Sequence, residues 1–197
     1  MGYKMLVDFD CLTVIVLSII WLIVALVLKF KCNKKIIFLF FFTVFYIYIC
    51  FVIKYTLFPI IIDPVLSSET KSILSGINLI SIIKLTRYDL KTSVLNIIMT
   101  IPLGIGSPVL RKNKTGVKSI FLIGLIFSCT IESIQFLEIL LTRIMIRAAD
   151  INDVIFNVIG ALSGFYIYKA FIFILNILTA KLSINENKVV KFLNKSD

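Results

Sequence analysis

From Cys11 to Leu28 the chain runs for 18 residues without a charged side chain, and Lys29, Lys31, Lys34 and Lys35 follow with no acid among them. A helix of about 20 apolar residues crosses the roughly 30 Å hydrocarbon core of a bilayer. Such a segment has to be helical, because lipid offers no partner to a backbone N–H or C=O. The run is too long for a signal-peptide core, and Asp8 and Asp10 precede it in place of a basic region, so it reads as a retained span. Similar runs recur at Ile36–Ile53, Ser93–Leu110, Ser119–Leu141 and from Asp150 to Lys169. The fold class predicted is therefore an all-α, polytopic transmembrane helix bundle of five spans. Composition agrees: 59% of the 197 residues are hydrophobic and 16% charged, against about half and a quarter in soluble domains.

The basic residues set an orientation. The segments 29–35, 111–118 and 179–197 carry four Lys or Arg each. The longer stretches 1–10, 54–92 and 142–153 together carry only eight. The positive-inside rule puts the first set in the cytoplasm, which predicts an outside N-terminus and a cytoplasmic C-terminus. The segment between Tyr55 and Thr92 contains Pro59, Pro64 and Gly76 between apolar stretches, and an interfacial or re-entrant helix is expected around residues 68–84. Pro102, Gly104, Gly106 and Pro108 predict a kinked or broken third span, a break that survives at membrane depth only where protein or a cavity satisfies the backbone. The segment after Lys169 either extends the fifth helix or bends away as an amphipathic tail. Three regions result: residues 1–35, a first span and basic loop; 36–168, the transmembrane core; and 169–197, the basic tail.

Several chemistries are excluded. Histidine is absent, which removes Ser-His-Asp and Cys-His nucleophiles and His-based metal sites. Cys11, Cys32, Cys50 and Cys129 show no metal-ligand spacing and are expected as apolar fillers, with a Cys11–Cys50 disulfide the one pairing considered. The net charge of +10 belongs to topology, since no basic stripe alternates with aromatics as a nucleic-acid surface requires.

The polar residues inside the spans are the informative ones. At 1.5 Å per residue, Glu138 lies about one turn from the outer end of the fourth span, Gln135 about 9 Å deep and Glu132 about 14 Å deep. Asn96 is near the outer end of the third span, and Asp150, Asp153 and Asn157 open the fifth. At 100° per residue, Asp150, Asp153, Asn157, Gly160 and Gly164 fall within one stripe about 80° wide, with Arg147 at its border. Ser128, Glu132 and Gln135 share a face of the fourth span. The simplest packing sets those two faces together around a polar pocket open to the outside, with Gly160 and Gly164 allowing close helix approach. A charge at mid-helix costs about 2.5–3.5 kcal/mol, so Glu132 must be neutral, paired or hydrated. Asp150 and Asp153 also suit helix capping.

These residues carry a resemblance. Arg147-Ala-Ala-Asp150-Ile-Asn-Asp153-Val-Ile-Phe-Asn157-Val-Ile-Gly160-Ala-Leu-Ser-Gly164 closely resembles the hallmark of VanZ-like membrane proteins. Glu132-Ser-Ile-Gln135, Asn96 with Ile101-Pro102-Leu103-Gly104, Tyr55-Thr-Leu-Phe-Pro59 and Asn78-Leu-Ile resemble its other motifs in order, over roughly residues 36–168. The resemblance implies a multi-pass protein of the bacterial plasma membrane, linked to glycopeptide and teicoplanin resistance. It implies no particular reaction.

Three function classes follow. The first is an envelope accessory protein whose pocket, lined by Asn96, Glu132, Gln135, Arg147, Asp150, Asp153 and Asn157, binds a lipid-linked or head-group substrate, with Arg147 on phosphate. The second is a membrane enzyme using Glu132, Asp150 and Asp153 as acid and base, for which an oxygen-ligand Mg²⁺ or Mn²⁺ is conceivable. The third is a small transporter or flippase built on a broken third span. The expected partners are the bilayer and a lipid-linked envelope precursor; no nucleic acid, resident metal or cofactor is assigned.

Overall fold

The structure, a computed structural model, describes residues 4–63, 67, 77–78, 87–111, 115–144, 149–181, 190 and 192–193. Five helices among them are long and apolar enough to cross a membrane, as the apolar runs predict. They are α1 (Cys11–Leu26, continued by a π-helical turn, Val27–Lys31), α2 (Ile36–Leu57), α3 (Arg87–Leu110), α4 (Val117–Thr142) and α5 (Ile151–Lys181).

Local chemistry sets the ends of α1. Asp10 is its N-cap and accepts hydrogen bonds from the Thr13 N–H and Oγ1, both at 3.0 Å. These bonds favour the ionised carboxyl and hold Asp10 below its ordinary range. At the other end Asn33 takes a left-handed conformation, φ 49°, and the Lys34 N–H reaches back to the Leu28 carbonyl at 2.9 Å, closing the helix as a left-handed cap does. No α1 residue is buried. It is held to α2 by Tyr46 Oη donating to the Leu17 carbonyl at 2.7 Å and by Trp21 Nε1 donating to Thr43 Oγ1 at 3.2 Å.

The centre of the bundle is the parallel pair α3 and α5. Gly160 of α5 lies against the Ile97 carbonyl and Thr100 Oγ1, and Gly164 against the Ile101 carbonyl. These two glycines stand four residues apart, the spacing that lets two helix backbones meet. This corrects the expected packing: the glycine stripe faces the third span, not the fourth. A stripe 80° wide is broad enough to be shared, and the polar residues on its other flank face α4. Around the contact, Leu103, Ile120, Ala161 and Phe165 form the main apolar core.

One further expectation is corrected in part. The sequence predicts a kinked or broken third span; the break is absent, and α3 runs as one helix through Pro102 and Pro108. Each proline removes one backbone donor, but contact with a neighbouring helix can hold such a helix together in a membrane. Of the two courses open to the chain after Lys169, it first extends the helix: α5 has 31 residues and runs to Lys181, about 46 Å at the usual rise. Beyond it the chain comes back, for Phe192 stacks on Phe41 at 5.5 Å and Tyr168 Oη donates to the Leu193 carbonyl at 3.2 Å. Leu193 joins Val109, Tyr168 and Ile172 in a second apolar cluster at the lysine-rich end.

Short strands decorate the opposite end. β1 (Met5–Val7) pairs antiparallel with β2 (Ile60–Ile62), Met5 opposite Ile62. β3 (Ile77–Asn78) pairs parallel with β4 (Ala149–Asp150), Asn78 opposite Asp150. The helix expected over 68–84 lies mostly outside the described residues, and Ile77 and Asn78 within it are extended. All four cysteines are free thiols, so the Cys11–Cys50 disulfide is not formed.

Candidate functional site

The site is built where α3, α4 and α5 meet at the end remote from the lysine-rich loops. On α4, Ser128, Glu132 and Gln135 share a face because they are spaced four and three residues apart. Each finds a different partner. Asn157 Nδ2 of α5 donates to Ser128 Oγ at 2.8 Å. The Asp150 backbone N–H donates to Glu132 Oε2 at 3.0 Å. Gln135 Nε2 donates to the Thr56 carbonyl at 3.0 Å. The last bond satisfies a carbonyl in the final turn of α2, where no further helical N–H is available.

Glu132 therefore does part of the work of capping α5 from another helix. Its carboxyl sits at the N-terminal end of α5, where the helix dipole favours negative charge. Asp150 completes the cap in the ordinary way: its Oδ1 accepts the Asn152 N–H at 2.8 Å and Asn152 Nδ2 at 2.9 Å, the pattern of an Asp N-cap bonded to the second helical residue.

Asp153 lies one turn into α5 and is half-buried. It interacts electrostatically with Asp150 and Glu132, so three carboxyls occupy one neighbourhood. Asn96 of α3 approaches the Asp153 carboxyl, yet its buried Nδ2 closes no hydrogen bond. Asn157, only 1% exposed, likewise leaves Oδ1 without a partner. An unsatisfied buried polar group costs about 1–3 kcal/mol, and two of them lie beside the same acids. Among the described residues, no three Cys, Asp or Glu side chains are placed to hold a metal ion together.

Of the residues singled out from sequence, Asn96, Glu132, Asp150, Asp153 and Asn157 come together. Gln135 lies on the same face and bonds outward to α2. Gly160 and Gly164 lie beneath, on α3. Arg147 lies outside the described residues. Three participants escaped the sequence reading. Thr100 is fully buried and its Oγ1 donates to the Asn96 carbonyl at 2.9 Å; its position four residues after Asn96 was the available signal. Asn152, two residues after Asp150, was legible as the partner of an Asp N-cap; the Thr56 carbonyl had no signal, since its bond to Gln135 joins residues 79 apart.

The segments that build this site are also those that the family comparison covers. The model of the VanZ/LLP1 family matches residues 45–175, from within α2 into α5, leaving out α1 and the tail. No curated protein and no solved structure matches the chain. With about two thirds of its length matched, including every helix that contributes a site residue, the chain belongs to the VanZ/LLP1 family.

Proposed function

We propose that this VanZ-like membrane protein is an envelope accessory factor that holds the head group of a lipid-linked substrate at the outer face of the bacterial plasma membrane. The family's general link to glycopeptide resistance fits that reading, because such antibiotics act outside the membrane. One observation carries it. Asn96, Glu132, Asp153 and Asn157 converge from three helices, and two of their buried amide atoms have no partner within the protein. A bundle that tolerates such unpaired groups at the membrane edge is suited to lending them to a ligand. The enzyme reading is weaker, because Asp150 is engaged as a helix cap and Glu132 is bonded to a backbone amide.

Native mass spectrometry tests the proposal. Delipidated protein re-exposed to the lipid extract of its producing cell should retain a head-group-bearing lipid, and Asp153→Asn should lower its occupancy by about tenfold, the worth of one charge-assisted hydrogen bond. Equal occupancy in the two proteins would overturn the assignment.

The orientation is tested separately. With the four native cysteines removed, Ser67→Cys should react with an impermeant thiol reagent in intact cells. Asn33→Cys should react only after permeabilisation. The reverse pattern would put the site on the cytoplasmic face and remove its connection to the outer leaflet.

A further inference from the structure

The site has an excess of acceptors. Glu132 and Asp153 are both half-buried, and their interactions are with each other, with Asp150 and with amide groups; among the described residues neither meets a Lys or Arg. Two neighbouring carboxyls in a membrane without a cation between them are costly. The second observation is independent of the acids. Asn157 lies one turn below Asp153, and its partner Ser128 lies one turn below Glu132. One turn beneath the two carboxyls thus lies a side chain only 1% exposed, with its Oδ1 unpaired. An amide oxygen is an acceptor only, so the carboxyls and the amide oxygen alike call for a donor.

Donor chemistry bears on the occupant. Among the described residues no three Cys, Asp or Glu side chains could hold a metal ion together, and only two carboxyls stand above Asn157. A primary ammonium carries three donors and no acceptor, one for each carboxyl and one for the amide oxygen.

Building on the head-group reading, we propose that the group recognised between Glu132, Asp153 and Asn157 is a primary ammonium, the amine of an aminoalkyl, aminoacyl or amino-sugar head group. Glu132 and Asp153 supply the charge, and Asn157 Oδ1 takes the remaining N–H. The uncharged Asn96 amide approaches Asp153 from α3.

The probe is phosphatidylethanolamine, compared with its N-acetylated form, each added to the delipidated full-length protein and read by native mass spectrometry. Free phosphoethanolamine, added as competitor, distinguishes a lipid source from a soluble one. The free amine should bind about tenfold or more tightly than the N-acetyl lipid, as expected for a charge-assisted contact, and Glu132→Gln with Asp153→Asn should abolish that preference. Displacement by phosphoethanolamine supports an ammonium site open to soluble ligands; resistance to it supports one that reads the amine only on a lipid. Equal binding of the amine and its acetyl form, lost together in the variant, would overturn the ammonium assignment while leaving the head-group reading standing. Displacement of the amine by micromolar Mn²⁺ would also overturn it, in favour of a metal. Binding of neither lipid, with cell-extract lipid still retained, overturns this inference alone; loss of that retention as well removes both.

Discussion

Gly164→Leu should prevent the bundle from assembling, and Gly164→Ala should already lower its stability. The sign of the alanine result is the informative part. In an exposed helix interior, replacing glycine with alanine gains about 1 kcal/mol. At Gly164 an added Cβ would overlap the carbonyl oxygen and carbon of Ile101, and at Gly160 it would overlap the Ile97 carbonyl and Thr100 Oγ1. These obstacles are mainly backbone, which cannot rotate away as a flexible side chain does. The cost should sit at the upper end of overpacking, about 3 kcal/mol or more for leucine. Thermal unfolding in detergent would show both variants melting below wild type. Gly116→Ala is the steric control, because nothing lies within 4 Å of its added Cβ; as the N-cap of α4 it should lose only the capping preference of glycine, about 1 kcal/mol. An unchanged melting temperature for Gly164→Ala would mean that α3 and α5 do not meet backbone to backbone.

Glu132→Gln should separate function from folding. Glutamine keeps the length of the side chain and an oxygen able to accept the Asp150 N–H, so the link between α4 and the start of α5 persists. It removes the charge. Retention of the head-group ligand, and any resistance phenotype that depends on it, should fall by about tenfold or more while membrane levels and melting temperature hold. Glu132→Leu is a poorer test, because it also leaves the Asp150 N–H without its acceptor. Glu138→Gln serves as the control: Glu138 stands within the last turn and a half of α4, nearer the membrane surface, and should matter less. Full activity of Glu132→Gln at equal membrane levels would make the network purely structural and remove the best acid from both the binding and the enzymatic reading.

Much of the site was legible from periodicity. Ser128, Glu132 and Gln135 had to share a face of α4, and Asp153, Asn157, Gly160 and Gly164 a stripe of α5, because a helix repeats every 3.6 residues. The distribution of roles did not follow. Asp150 and Asp153 look alike in sequence, yet one caps α5 through Asn152 and the other faces Asn96. Gln135 shares the face of Glu132, yet it serves the end of α2. A face specifies a direction from the helix axis and says nothing about which neighbour stands there.

By itself the sequence determined that the chain is a five-span helical bundle with its polar residues gathered at one end. Lipid acts on each segment separately: a long apolar run must enter it and must be helical there, so composition alone decides. Tertiary structure decided the rest, because these outcomes depend on contacts between segments far apart in the chain. It placed Gly160 and Gly164 on α3, carried α3 through two prolines, returned Phe192 and Leu193 to the bundle, and set Asn157 beneath two acids with an oxygen unsatisfied. Each is a choice among neighbours that the same local pattern would allow, settled by which surfaces fit closely enough to exclude the others.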